Sequence, residues 1–129
     1  MRLFTLSLQL EPTQASRLRS WLRDRFADSR LSRQATRDLV LAADEAFALA
    51  VGRCSKECEA VVRVSVLGRD VYLTFTDNAQ TRRRLEPDPF GMALLQALAD
   101  QFQLEEDETG ATVRLVKKSA RSDRSPRRA

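Results

Sequence analysis

Hydrophobic residues change period along this chain, and the order of those changes limits the folds open to it. Over residues 3–10, Phe4, Leu6, Leu8 and Leu10 alternate with Leu3, Thr5, Ser7 and Gln9. That is the two-residue period of a strand with one buried face. Pro12 stands where the first turn of a helix tolerates proline. Ala15, Leu18, Trp21, Leu22 and Phe26 then recur at steps of three and four, which predicts an amphipathic helix to about residue 27. Arg17, Arg19, Arg23 and Arg25 fall mostly on its wet side. Ser32 is placed to cap a second helix, whose apolar stripe of Ala35, Leu39, Ala42, Ala43, Ala46, Phe47 and Ala50 ends near Gly52. The period returns to two at Val62, Val64 and Val66, and again at Val71, Leu73 and Phe75, with a tight reversal at Gly68 and Arg69 between them. A polar loop over 78–89 precedes a helix over 91–100 that carries Met92, Leu94, Leu95 and Leu98. Phe102 with Leu104, and Val113 with Leu115, mark two last strands joined by a turn over 107–110.

The order β-α-α-β-β-loop-α-β-β is neither a Rossmann alternation nor a bundle. It predicts an α+β fold, a two-layer α/β sandwich with helices on one face of a mixed, mainly antiparallel sheet. A chain of 129 residues is one domain, long enough for a real core. No run approaches the roughly 18 apolar residues of a membrane span, and the start is too short and too alternating for a signal peptide, so a cytoplasmic location is expected. The formal charge of +4 hides an asymmetry. Residues 117–129 hold six cations against Asp123, a net +5, which leaves −1 for residues 1–116. The expected division is a folded domain over 1–116 and a disordered basic tail over 117–129. The tail reads first as a solubilising extension and second as a contact for a polyanion. Cys54 and Cys58 are the only cysteines and there is no histidine. A structural zinc site of four cysteine or histidine ligands and Ser-His-Asp chemistry are therefore out of reach. The pair is expected as two reduced thiols beside a helix end, forming a disulfide only on oxidation.

Four segments remain that helices, strands and turns do not by themselves explain: Asp44-Glu45-Ala46-Phe47-Ala48-Leu49, Asp77-Asn78-Ala79-Gln80-Thr81, Gly91-Met92-Ala93-Leu94-Leu95 and Gly110-Ala111-Thr112-Val113. Their order resembles the nucleotide-binding boxes of the GHKL ATPase superfamily. Their spacing looks most like the anti-sigma factor serine kinases of the RsbW and SpoIIAB type, over roughly residues 3–117. In that branch the boxes read Glu-x-x-x-Asn, Asp-x-Gly-x-Gly, Gly-x-Gly-Leu and Gly-Thr. The resemblance implies the Bergerat ATP-binding fold, and it implies roles. Glu45 would orient or activate the attacking group. Asp77 would accept from the adenine amino group, supported by Thr112 once Ala111 is allowed as an extra residue. Gly91 would offer backbone to phosphate, and Arg82, Arg83 and Arg84 would lie in the ATP lid, where they could pair phosphate oxygens. The plainer alternatives are a solvated helix carboxylate for Glu45, a turn-initiating Asp77, a strand threonine at Thr112 and a solvated arginine loop.

Against that pattern, Leu49 stands at the Mg²⁺-binding asparagine, and Ala79, Thr81 and Ala93 stand at glycines that let phosphate approach the backbone. The expectation is therefore no metal site, and ATP or ADP bound weakly at best. Function is then a degenerate anti-sigma-factor-type regulator, a pseudokinase acting by partner binding. Its partners would be a sigma factor or an anti-sigma antagonist, with homodimers compatible and nucleic-acid contact by the tail not expected. The alternative is an active ATP-dependent serine kinase that phosphorylates an antagonist.

Overall fold

The structure is a computed structural model, and it describes residues 2–27, 29–54, 57–79 and 89–118. The first strand, β1, spans Arg2–Gln9. A 3-10 turn at Pro12–Gln14 leads into α1 over Ala15–Ala27, and α2 spans Arg33–Arg53. Then follow β2 over Glu59–Leu67, β3 over Asp70–Asp77, α3 over Pro89–Leu98, β4 over Gln101–Asp107 and β5 over Gly110–Lys117. This is the element order that the periods predict.

Local chemistry sets the boundaries. The Ser32 hydroxyl accepts from the Ala35 amide at 3.0 Å, the N-cap that the sequence suggested for α2. Gly68, with φ 64°, turns β2 into β3, and a side chain there would carry the left-handed penalty. The sheet order is β1-β2-β3-β5-β4. Every pairing is antiparallel, so the sheet is not mixed as expected but wholly antiparallel.

One face of the sheet is covered and the other is open. Leu6, Leu8, Val62, Val64, Leu73, Phe75, Val113 and Leu115 point to the helices and are buried, while their strand neighbours Thr5, Arg63, Tyr72 and Arg114 are exposed. From the helix layer, Leu18, Leu22 and Phe26 of α1 and Leu39, Ala43, Ala46 and Phe47 of α2 close on that face. The small alanines of α2 let it lie close to the strands, and Phe47 meets Phe75 edge to face at 6.2 Å between centroids. Each such buried large side chain contributes about 1.5–3 kcal/mol of transfer free energy.

Two details depart from the sequence expectation. Arg25 is not on a wet surface; its guanidinium lies over Phe4 at 5.2 Å and Trp21 at 5.5 Å, tying α1 to β1. The strand β5 also runs one residue beyond 116. Lys117 donates to the Leu98 carbonyl at 2.8 Å and to Asp38 at 3.2 Å, joining β5 to α3 and α2. Residues 119–129 of the basic tail lie outside the described residues.

Candidate functional site

At the end of the sheet where β3 stops, the second and fourth segments meet. Asp77 is the last residue of β3, and the alternation that buries Leu73 and Phe75 turns its side chain to the helix side as well, leaving it 5% exposed. A carboxylate there needs partners. Among the described residues it has four contacts. Its Oδ1 accepts from the Ala79 amide at 3.0 Å, from the Ala111 amide at 3.3 Å and from Arg53 Nη1 at 3.3 Å, and its Oδ2 accepts from Arg53 Nη1 at 3.2 Å. The contact to Ala79 is the turn that an aspartate initiates with its own backbone two residues on.

Arg53 is the residue that the sequence analysis missed. It is the last residue of α2 and only 6% exposed. Its Nη2 donates to the Ala79 carbonyl at 3.2 Å and lies 4.0 Å from the Glu106 carboxylate. A signal was available. Counting Ala46, Ala50 and Arg53 in steps of four and three extends the apolar stripe to position 53, so a cation there has to face the core and find a carboxylate. Reading the stripe as ending near Gly52 hid this.

The segment after β3 is pinned rather than loosened. Ala79 has both amide and carbonyl engaged as above, and its methyl is buried in the core. The Asn78 side chain accepts from the Glu59 amide at 2.8 Å, and the Asn78 amide donates to the Glu59 carbonyl at 3.2 Å. Gly110 packs over the same place. With φ +152°, a Cβ built on it would lie 1.9 Å from the Asp77 carbonyl oxygen. The glycine of the fourth segment is thus needed for close backbone approach.

Strand register turns the Thr112 side chain to the opposite face of the sheet from that of Asp77. The register pairs Asp77 with Ala111 and Thr76 with Thr112. Thr112 therefore faces the open side of the sheet, where its hydroxyl lies 3.3 Å from that of Thr76, and Ala111 is the β5 residue on the side of Asp77. Thr112 and Asp77 both line a cleft of ≈ 450 Å³ at the rim, with Glu105, Glu106 and Asp107. Thr109 donates through hydroxyl and amide to Asp107 and holds its carboxyl below the ordinary value of 3.8.

The remaining candidates are scattered. Glu45 is half-buried on α2, with no hydrogen bond or ion pair among the described residues. Leu49 packs against the core. Asp44, beside Glu45, pairs with Arg19 of α1 at 3.0 Å. Gly91 is buried in the first turn of α3, and Ala93 is exposed. Arg82, Arg83, Arg84 and Thr81 lie outside the described residues. Cys54 and Cys58 are joined as a disulfide, in place of the expected free thiols. The turn from α2 into β2 brings their Cα atoms to 6.0 Å, inside the range that a disulfide spans. No described helix is long and apolar enough to cross a membrane.

A family model described as a histidine kinase-like ATPase domain matches residues 8–117. The chain belongs to that family, a GHKL member as its four segments suggested. Among solved structures, it is similar to the crystal structure of the RsbU and RsbW domains of Rv1364c from Mycobacterium tuberculosis, at TM-score 0.75 and 20% identity. That match covers 92% of this chain and 32% of the solved one, so the two share a fold over about a third of the longer protein. A search of characterised proteins gives no match.

Proposed function

We propose that this chain is a partner-binding regulator of the anti-sigma-factor type whose nucleotide site is closed by its own arginine. One observation carries the reading: the Asp77 carboxylate, the group the family uses for adenine, is already saturated by Arg53 and two backbone amides. A base entering there would have to displace a buried ion pair. The residues present also do not fit a magnesium-bound triphosphate. Leu49 offers no oxygen ligand, and Ala79 is locked in place by its own backbone bonds. ATP binding and phosphoryl transfer are therefore weak or absent, while the scaffold and its surfaces persist. The fold it shares with an RsbW domain supports a role in bacterial partner switching, with a sigma factor or an anti-sigma antagonist as the partner.

Calorimetric titration with ATP, with and without Mg²⁺, tests the closed site. The expected result is no Mg²⁺-dependent binding. Tight, Mg²⁺-dependent binding would overturn the proposal in favour of a working serine kinase. Mixing with purified sigma factors and antagonists of the source organism, without nucleotide, tests the partner, and a stable complex is expected.

A further inference from the structure

The groove between α1 and α2 lies outside the site described above. We infer that it is the docking site for an acidic amphipathic helix of a partner protein. The inference deepens the regulator reading and rests on it for the occupant being a protein.

Each wall is a helical stripe at four-residue spacing: Arg19, Arg23 and Ala27 on α1, and Arg33, Arg37 and Leu41 on α2. Eight residues at 1.5 Å each make a wall of about 12 Å, a little over two turns. The space between them is ≈ 670 Å³. Its floor is apolar, with Phe26 and Val40 buried beneath and Leu41, 52% exposed, standing open. One end is closed by the link between the helices, where the Ser29 hydroxyl donates to the Phe26 carbonyl at 2.7 Å and accepts from the Leu31 amide at 3.2 Å.

Charge identifies the occupant. Arg23, Arg33 and Arg37 are exposed and make no ion pair or hydrogen bond among the described residues. Arg19 is engaged by Asp44, which does not line the groove, and no acidic residue does among the described ones. An apolar floor flanked on both sides by arginines, of which Arg23, Arg33 and Arg37 are unpaired among the described residues, matches a helix with leucines along one face and carboxylates on both flanks. This chain's own tail is excluded, because residues 117–129 carry +5, the sign of the groove. A nucleic acid matches less well, since stacking needs an open aromatic ring and Phe26 is 2% exposed.

The test uses the full chain and a fluorescent peptide of about 20 residues, long enough to cover the groove, with leucine and glutamate at helical spacing. A scrambled peptide of the same composition is the control. Fluorescence anisotropy is expected to show the amphipathic peptide binding about tenfold or more tighter than the scrambled one. Arg23→Glu combined with Arg37→Glu is expected to weaken it about tenfold or more, as is Leu41→Asp, with melting temperatures unchanged because all three positions are exposed. Equal affinity for both peptides, or affinity untouched by these substitutions, overturns the inference. So does tighter binding to phosphatidylglycerol vesicles or duplex DNA that the same substitutions abolish, or a dimer in light scattering that Leu41→Asp dissociates. Peptide binding with no complex to any sigma factor or antagonist would sink the regulator reading and leave the groove standing. A complex that survives these substitutions would do the reverse.

Discussion

Replacing Arg53 by methionine isolates the interaction on which the closed site depends. Methionine keeps most of the aliphatic stem and removes the charge, so packing changes little. Asp77 would remain 5% exposed, with the Ala79 and Ala111 amides on Oδ1 and, among the described residues, no partner on Oδ2. Breaking a buried ion pair from one side costs about 3–5 kcal/mol. The two surviving amides place this case in the lower half of that range. The Ala79 carbonyl also loses its Nη2 donor, adding about 1 kcal/mol. A total near 4 kcal/mol corresponds to a fall of about 12–20 °C in melting temperature for a domain of this size. Adding Asp77→Asn removes the stranded charge while leaving an oxygen for both amides. The double variant is therefore expected within about 2 kcal/mol of the parent, a coupling of about 2 kcal/mol or more. Urea unfolding followed by circular dichroism on the parent, both singles and the double gives the cycle. A loss below about 1 kcal/mol for Arg53→Met would refute the reasoning, as would a double variant whose loss equals the sum of the singles.

Gly110→Ala drives a methyl into the Asp77 backbone at a φ that favours glycine, and a loss of about 3–5 kcal/mol is expected by the same unfolding assay. Closing the short Cys54–Cys58 loop contributes about 2 kcal/mol in the chain-entropy description; mass spectrometry after alkylation should find no free thiol without reductant, and Cys54→Ser with Cys58→Ser should melt lower. Lys117→Met removes a bond to the Leu98 carbonyl and a part-buried pair with Asp38, at a cost of about 1–2 kcal/mol, whereas truncation after Lys118 is expected to leave the melting temperature unchanged.

The fold was legible because each element announces itself by period. The alternation at Phe4, Leu6 and Leu8, the Ser32 cap and the glycine reversal at residue 68 each have one structural reading, and they agree. The site was less legible because side-chain direction at the ends of elements depends on partners that sequence spacing does not name. Thr112 looked like a neighbour of Asp77 by position in a motif, yet strand register puts it on the far face beside Thr76. Lys117 read as the start of a charged tail, and its destination is set by where Asp38 and the Leu98 carbonyl happen to end. Arg53 belonged to no motif; the α2 stripe could place it in the core, and its burial against Asp77 identifies the carboxylate it meets.

That burial changes what repairing the motifs should achieve. Leu49→Asn, Ala79→Gly, Thr81→Gly and Ala93→Gly together restore the residues that the family uses for metal and phosphate. They leave Arg53 on Asp77, so the carboxylate proposed for the base stays occupied. They also weaken the domain. Asparagine at 49 sets an amide against the core that Leu49 now packs on, at about 1–3 kcal/mol, and Ala79→Gly deletes a methyl that is 2% exposed, at about 1 kcal/mol. The fourfold variant is therefore expected to gain little Mg-ATP affinity. Adding Arg53→Ser frees the carboxylate for an adenine amino group. A hydrogen bond to a charged acceptor contributes about 1.5–3 kcal/mol, so affinity should rise about tenfold or more over the fourfold variant. Calorimetry on the two variants, each confirmed folded by circular dichroism, reads the difference. Equal Mg-ATP affinity in both would show that Arg53 is a bystander and that the phosphate side alone keeps nucleotide out. A rise only when Arg53 is replaced would place the closure at the proposed base position, where an arginine of α2 pairs with Asp77.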